Sequence, residues 1–180
     1  MRAVTSPRSG NAFFDNVENK QPAWVPWYTM HKIIAGLTAS YSATGSTTAY
    51  ALVDKLGDWV YRRTASWSEE VHQRVLSVEY GGMNDCLYEL YRVTGKEGHL
   101  SAAHSFDELT LFTPVHEGKD ILKGKHANTT IPKFLGALNR YRTLGENEVF
   151  LSGSGGAVLG DGCPSSQLHH RREQRMGALR

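Results

Sequence analysis

A short pattern recurs three times in this chain at a fixed interval of 50 residues: a tyrosine followed four positions later by a glycine. The copies lie at residues 41–45, 91–95 and 141–145. Each copy closes a stretch whose apolar residues recur at three- and four-residue steps, as in an amphipathic helix. Glycine is a common helix terminator because it adopts left-handed dihedrals without steric cost. A period of this size indicates one helical unit repeated, with neighbouring units stacked to bury a shared face.

The repeat predicts an all-α fold of about three helical hairpins. The first helices of these hairpins are expected at residues 28–45, 83–95 and 131–145. Ser46 or Thr47 is expected to cap the first return helix, because its hydroxyl can accept an unpaired backbone N–H. Apolar residues mark the second return helix: Leu100, Ala103, Phe106 and Leu109. Residues 74–78 are long enough to pair locally as a strand, but no alternation of strands and helices is present.

The third return helix is expected to begin near Glu146 and Glu148, whose charges suit a helix N-terminus. Glycines at 153, 155 and 156 then stand where the first two units have apolar helix. Each costs a helix interior about 0.5–1 kcal/mol relative to alanine. Residues 151–180 show no periodicity and hold four arginines against two acidic residues, which accounts for the whole net charge of +2. We therefore expect a helical domain over 1–150 and an irregular tail over 151–180.

Composition excludes several classes of protein. A net charge of +2 over 180 residues is too small to indicate a nucleic-acid partner. No apolar run approaches the length of a membrane span, and the first residues do not lead into the core of a signal peptide, so a cytoplasmic location is the default expectation. Cys86 and Cys163 lie far apart without a CxxC pattern, so we expect no disulfide framework, metal site or cofactor from them.

A dense polar segment begins each unit. These segments are residues 28–32, 79–85 and 126–130. Parallel first helices would bring all three to the same end of the fold, where unpaired N–H groups and a partial positive charge accumulate. Polar side chains gathered there would form a pocket for a hydroxyl-rich ligand.

Each polar segment also has a purely structural interpretation. His31 is then a hydrogen-bonded, partly buried histidine. Glycines 81 and 82 then form a turn, and Asn84 or Asp85 caps the first helix of unit two. Asn128 caps the first helix of unit three. The aromatic residues at 24, 27 and 28 either stack on a sugar ring or pack beside two prolines. The shared position of the segments in three repeats favours the functional interpretation.

Three motifs carry a family resemblance: WVPWYTMHKIIAGL at residues 24–37, EYGGMNDCLYELY at 79–91 and HANTTIPK at 126–133. In this order, and at matching places of a helical repeat, they resemble the beta-L-arabinofuranosidase family of glycoside hydrolases. The resemblance covers residues 13–151. It implies part of an (α/α)6 toroid, which is a ring of six helical hairpins, and it implies a small-molecule carbohydrate substrate, a terminal non-reducing L-arabinofuranoside.

The resemblance implies sugar-pocket roles for five residues, which would bind hydroxyls and orient the ring: His31, Asn84, Asp85, His126 and Asn128. It also implies, in full-length members, a zinc-bound cysteine nucleophile and a glutamate acid/base. Zinc would hold that nucleophile as a thiolate. No residue here matches the nucleophile, the acid/base or a zinc ligand; those positions are expected downstream of the third hairpin. Cys86 is interpreted as a core residue. We therefore expect a catalytically inactive fragment that holds no zinc.

The tail suggests a shifted reading frame. When the codons of residues 158–179 are read one nucleotide later, the Met176–Gly177 junction must encode tryptophan, and the preceding codons permit a His-Ser-Tyr-x-Thr-Gly-Gly sequence. That sequence resembles the next segment of the family. The hypothesis is a frameshift near residues 151–153; the alternative is a genuine tail rich in glycine and arginine.

Two other functions remain open from the sequence. The first is a non-catalytic carbohydrate-binding protein or helical scaffold, since repeat proteins bind partners on their concave faces. The second is another (α/α)6 enzyme, a lyase or epimerase, for which His31 and His126 would be the acid/base candidates. In any of these cases, a ring with uncovered hairpin faces is expected to self-associate.

Overall fold

The structure, a computed structural model, describes residues 11–145. Those residues form eight helices and no strand, which confirms the predicted all-α class. The helices are α1 Ala12–Glu18, α2 Pro26–Thr44, α3 Thr47–Thr64, α4 Glu69–Ser77, α5 Met83–Thr94, α6 Glu97–His104, α7 Leu109–His116 and α8 Ala127–Leu144. None of the described helices combines the length and the apolar character that a membrane crossing requires.

The repeated tyrosine–glycine pattern ends the three first helices in the same way. Gly45, Gly95 and Gly145 follow α2, α5 and α8 with left-handed φ angles of 69°, 67° and 64°. Each glycine N–H donates to the carbonyl of the tyrosine four residues earlier, at 2.8, 2.7 and 3.0 Å. A residue with a Cβ would be strained at such a φ, so the glycines are required by the way these helices end.

The first helices form one row and the return helices lie behind them. α5 is central and packs against α2, α8 and its own return helix α6, while α3 packs against both α2 and α6. Ser46 caps α3, as predicted, by accepting from the Ala49 N–H at 3.3 Å. This arrangement confirms a partial helical-hairpin toroid. The predicted third return helix, the 150/151 domain boundary and the frameshifted tail lie outside the described residues.

Three short helices were not predicted: α1 precedes the first hairpin, and α4 and α7 lie in the connections between hairpins. Residues 74–78 were long enough to pair locally as a strand, but residues 74–77 are the last part of α4, which begins where Ser68 accepts from the Val71 N–H and two glutamates occupy the first turn. The second return helix is shorter than predicted and ends at His104. Phe106 is nevertheless buried, whereas Leu109 begins α7 and is exposed.

The starts of α5 and α8 differ from the predicted capping by asparagine or aspartate side chains. Gly82 and His126 occupy their N-cap positions, and neither helix has a side-chain cap. Capping by Asn84, Asp85 or Asn128 was therefore the wrong interpretation. The reason is that α5 and α8 begin earlier than those residues, which places all three side chains within the first turn.

An aromatic cluster around Trp27 forms the centre of the main core. The Trp27 side chain is fully buried, with ring centroids of Phe14 at 4.7 Å, Phe106 at 5.1 Å and Trp67 at 5.6 Å. Trp27 is thus a packing residue rather than a sugar-stacking one, while Trp24 is 87% exposed. Cys86 is buried in the same core, as predicted. A second, smaller cluster lies between α7 and α8.

Candidate functional site

The starts of α2, α5 and α8 meet at one point. The Gly82 N–H donates to His31 Nδ1 at 3.2 Å, which links the α5 start to the first turns of α2. A Cβ placed on Gly82 would lie 3.1 Å from His31 Nε2 and 3.4 Å from Pro132 Cβ of α8. The polar segments of units one and two and the early turns of α8 therefore share one end of the fold, as the parallel repeat requires. We call this end the rim.

The glycine pair at 81 and 82 is needed for that close approach. Gly81 has a φ of 60°, and a Cβ there would lie 2.8 Å from both His31 Nδ1 and Tyr28 Cδ2. Real Cβ atoms do not come so close, so a side chain would push the turn away from α2. The pair thus lets the backbone of unit two contact the imidazole of unit one.

His31 is a buried, neutral histidine. Burial, assisted by the nearby Lys32 ammonium, lowers the pKa of His31 to about 4. Because Nδ1 accepts from Gly82, the proton of the neutral ring lies on Nε2, which is thereby a hydrogen-bond donor. At neutral pH this residue can position a hydroxyl but carries no charge.

Asn84 is held on several sides by the protein. Its Nδ2 donates to Asp107 Oδ1 at 3.2 Å and to the Lys133 carbonyl at 3.1 Å, and its Oδ1 accepts from the Asp85 N–H at 3.0 Å. The side chain is completely buried, and Gly136 of α8 leaves the space that it fills. Asn84 therefore links α5 to α8 by hydrogen bonds and fixes the relative position of the two helices beside the rim.

Asp107 completes this buried polar junction, which we call the Asn84–Asp107 junction. It accepts from Tyr88 Oη at 2.5 Å and pairs with Arg140 at 3.0 Å. Burial raises the pKa of Asp107, and its hydrogen bonds and Arg140 oppose that rise. Four groups from α5, α8 and the α6–α7 connection are thereby fixed relative to one another.

A cavity of about 280 Å³, the rim cavity, opens beside this junction. It is lined by residues 76–79 and by Glu108, Leu111, Lys125, His126, Thr129, Thr130 and Lys133. Lys133 Nζ lies 2.5 Å from Glu108 Oε2 and 4.3 Å from the centre of the Tyr80 ring, and Tyr80 Oη donates to the same carboxylate at 3.1 Å. Paired charges, hydroxyls and a few apolar side chains suit a small polyhydroxylated ligand.

A second cavity of about 350 Å³ lies between α5 and α8, and Asp85 lines it together with Glu89, Asn139 and Arg142. Burial, and then the nearby Glu89, raise the pKa of Asp85, whereas Asn139 opposes the rise. The Asp85 carbonyl also accepts from Asn139 Nδ2 at 3.1 Å. Asp85 is therefore near the rim but borders a different cavity from His126.

The five predicted site residues thus occupy three kinds of position. His31 and Asn84 are buried and hydrogen-bonded under the rim; His126 and Asp85 line separate cavities; Asn128 is exposed in the first turn of α8 and borders neither. The sequence prediction missed Asp107, Glu108 and Lys133 as parts of the site. Lys133 lay within a recognised motif, but the other two come from the connection between α6 and α7, where the 50-residue repeat has no equivalent signal.

A comparison with known families matches residues 4–151 to the beta-L-arabinofuranosidase, GH127 catalytic domain. The match spans all three polar segments and every described helix. This chain belongs to the beta-L-arabinofuranosidase family. A comparison with curated proteins gives no match. The family assignment confirms the resemblance carried by the three motifs and identifies the lineage as that of a glycoside hydrolase.

The zinc-bound cysteine that the resemblance implies is not matched by Cys86, the one cysteine within residues 11–145. Its side chain is 2% exposed and its Sγ donates to the Met83 carbonyl at 3.3 Å. Burial and the nearby Asp85 raise the pKa of this thiol well above its usual value. No cluster of metal-ligating side chains within residues 11–145 includes Cys86, so Cys86 is a packing residue. Cys163 lies outside the described residues.

Proposed function

We propose that this chain binds the terminal sugar of an L-arabinofuranoside at its rim and does not hydrolyse the glycosidic bond on its own. The observation that carries the proposal is the meeting of three repeat starts around the Gly81–Gly82 turn, next to a polar cavity. Membership of a glycoside hydrolase family supports a carbohydrate as the ligand. The narrower assignment to L-arabinofuranose rests on the family description.

The rim cavity supplies both kinds of partner that a sugar hydroxyl needs. Lys125, Lys133 and the threonine hydroxyls donate, whereas Glu79 and Glu108 accept. His126 can do either, depending on its tautomer. The nearby Leu76 and Leu111 provide apolar contact for the C–H face of a furanose ring. In this proposal His31 and Asn84 act indirectly by holding the Gly81–Gly82 turn and α8 in place.

Loss of hydrolysis is proposed because the described residues supply a binding surface without a competent nucleophile. Retaining glycosidases need a nucleophile and an acid/base on opposite faces of the scissile bond. Cys86 is buried as a neutral thiol. The resemblance places the zinc-bound cysteine and its partner glutamate after the third hairpin, and it assigns neither role to a residue within 11–145.

The test combines a binding measurement with an activity measurement on the purified full chain. Saturation-transfer difference NMR with methyl β-L-arabinofuranoside should show binding. His126→Ala should weaken that binding, whereas His116→Ala, which changes a histidine that does not line the rim cavity, should leave it intact. Release of p-nitrophenol from the corresponding aryl glycoside should be undetectable with and without added Zn²⁺.

The two halves of the proposal fail separately. Zinc-dependent turnover would overturn the proposed inactivity while leaving the sugar specificity in place. Absence of saturation transfer, or equal transfer with a D-glucopyranoside, would overturn the proposed ligand. Equal binding by the His126→Ala and wild-type chains would show that the sugar does not bind in the rim cavity.

A further inference from the structure

A second cluster of charged side chains lies at the opposite end of α5 from the rim. Asp54 and Asp58 are four residues apart on α3, so both point from the same helix face. His99 from the first turn of α6 faces them, and its Nε2 lies 3.2 Å from Asp58 Oδ1. One ligand atom from each of these three residues lies within 4.8 Å of the other two. We call this group the Asp54–Asp58–His99 cluster.

His99 is held in place before any ligand arrives. The imidazole is completely buried, and it packs so closely on α3 that a Cβ on Gly57 would lie 2.5 Å from Nε2. On its other side, Nδ1 lies 2.8 Å from Thr94 Oγ1. Gly57 and Thr94 therefore fix the ring so that Nε2 faces the two carboxylates, which is the outer support that metal-binding histidines commonly have.

The Thr94 hydroxyl that contacts His99 is itself hydrogen-bonded to the backbone. The Thr94 hydroxyl lies 3.0 Å from the Leu90 carbonyl, to which it donates, and its oxygen accepts from the Lys96 backbone N–H at 3.4 Å. Thr94 Oγ1 can accept from His99 Nδ1–H, and this is the tautomer that frees the Nε2 lone pair for a metal ion. When no metal is bound, the other tautomer lets the Nε2–H donate to Asp58 Oδ1 at 3.2 Å.

Lys96 shows that the cluster attracts positive charge. Its Nζ lies 2.5 Å from Asp54 Oδ1 and 3.1 Å from Asp58 Oδ2. Two carboxylates and one ammonium leave a net negative charge when His99 is neutral. The Lys96 side chain is 40% exposed, so it can swing into solvent and give up its place.

We propose that Asp54, Asp58 and His99 form a binding site for a divalent transition metal such as Zn²⁺, which displaces the Lys96 ammonium. One imidazole nitrogen and two carboxylate oxygens are three of the four ligands of a tetrahedral zinc site, and a water molecule supplies the fourth. Tetrahedral ligands lie about 3.4 Å apart, so the carboxylates move slightly inward on binding. Mg²⁺ and Ca²⁺ are disfavoured because they take six or more oxygen ligands.

The bound metal would join the return helices of hairpins one and two. Asp54 and Asp58 belong to α3 and His99 to α6, and these helices pack against each other behind the first-helix row. The site is therefore structural and independent of the rim, and it does not depend on the proposed function.

The test is isothermal titration of the full chain with ZnCl₂ in metal-free buffer, on a background in which Cys163→Ser, His169→Ala and His170→Ala remove metal-binding groups of the tail. This background should bind one Zn²⁺. Lys96→Met removes the competing ammonium and should tighten binding at least about tenfold. Thr94→Val, which removes the support of His99, should weaken it about tenfold. His126→Ala is the matched control and should leave the affinity unchanged.

Loss of the site is tested in a charge-balanced chain that is not expected to unfold. The triple variant Asp54→Asn, Asp58→Asn, Lys96→Met removes both carboxylates together with their cation, and circular dichroism verifies its fold. It should bind Zn²⁺ at least about 100-fold more weakly than the Lys96→Met chain. Unchanged affinity in a folded triple variant, or no stoichiometric binding by the Lys96→Met chain, would overturn the proposal.

Discussion

The two contacts between neighbouring hairpins of this fold differ in chemical character, since one is aromatic and the other is polar. Between hairpins one and two, Trp27, Trp67 and Phe106 form a dry aromatic core. Between hairpins two and three, α5 and α8 are joined by the Asn84–Asp107 junction, in which amide, phenol and guanidinium groups donate to one carboxylate. The first contact buries large apolar surface, which is the main source of folding free energy.

The second contact fixes the position of α8 relative to α5 more than it stabilises the fold. Buried polar groups gain little net free energy, but leaving one without a partner is costly, so they permit few arrangements. This junction lies directly under the rim, where the position of α8 relative to the Gly81–Gly82 turn decides the shape of the rim cavity. We therefore infer that the aromatic core stabilises the fold and that the polar junction determines the shape of the rim cavity.

The aromatic contact should give the largest effect. Trp27→Ala removes the ring at the centre of the cluster and should lower the free energy of unfolding by about 3–5 kcal/mol. Trp24→Ala removes the same side chain from an exposed position and should change it by less than about 0.5 kcal/mol. Urea denaturation followed by circular dichroism measures both, and equal losses would contradict the assignment of Trp27 as the core residue.

The polar junction should give the next largest effect. Asn84→Ala removes the donor to Asp107 and to the Lys133 carbonyl and should cost about 3 kcal/mol. Asn128→Ala, an exposed asparagine at the start of α8, is the control and should cost less than about 0.5 kcal/mol. If α8 is held mainly by its apolar contacts, hydrogen exchange in α8 will not accelerate in the Asn84→Ala chain.

Acid should loosen the rim through His31. Its pKa is about 4 in the folded chain, below the ordinary value of 6.5, so the unfolded chain binds the proton first. Its contribution to stability is complete above pH 6.5 and is lost progressively as the pH falls toward 4, by about 2 kcal/mol at pH 5. An NMR titration of the His31 ring should show its midpoint near pH 4; a midpoint near 6.5 would show that the ring is accessible to solvent.

The smallest effects compare two glycines at equivalent repeat positions, 100 residues apart. Gly36 has open space around it in α2, so Gly36→Ala should stabilise the chain by about 0.5–1 kcal/mol. Gly136 faces Asn84, so Gly136→Ala should instead destabilise it by about 1–2 kcal/mol. Thermal unfolding gives both signs, and stabilisation by both substitutions would show that α5 and α8 are not closely packed at Asn84.

The parts of the fold that depend on local, repeated signals were predictable from the sequence. The stop of each first helix follows from a glycine four residues after a tyrosine, and the capping of α3 follows from Ser46. The short helices α1, α4 and α7 escaped prediction because each spans only seven to nine residues, too few for a clear apolar stripe. Their boundaries depend on how they pack against the hairpins.

The site was predictable at the level of the rim and less so at the level of side chains. Three polar segments at equivalent repeat positions indicated a common end of the fold, and His31, Gly82 and Pro132 do meet there. The sequence could not show that Asn84 is buried against Gly136, because that contact joins residues 52 positions apart. Asp107 and Glu108 reach the site from a connection whose path only the packed structure defines.

The most direct test of the rim as a sugar site is the mapping of amide shifts in ¹⁵N-labelled full chain during titration with methyl β-L-arabinofuranoside. The proposal predicts saturable shifts concentrated at the Gly81–Gly82 turn, at Glu108 and at residues 126–133, with little change at His99. Shifts that are absent, or that cluster on α3 and α6 away from the rim, would contradict it.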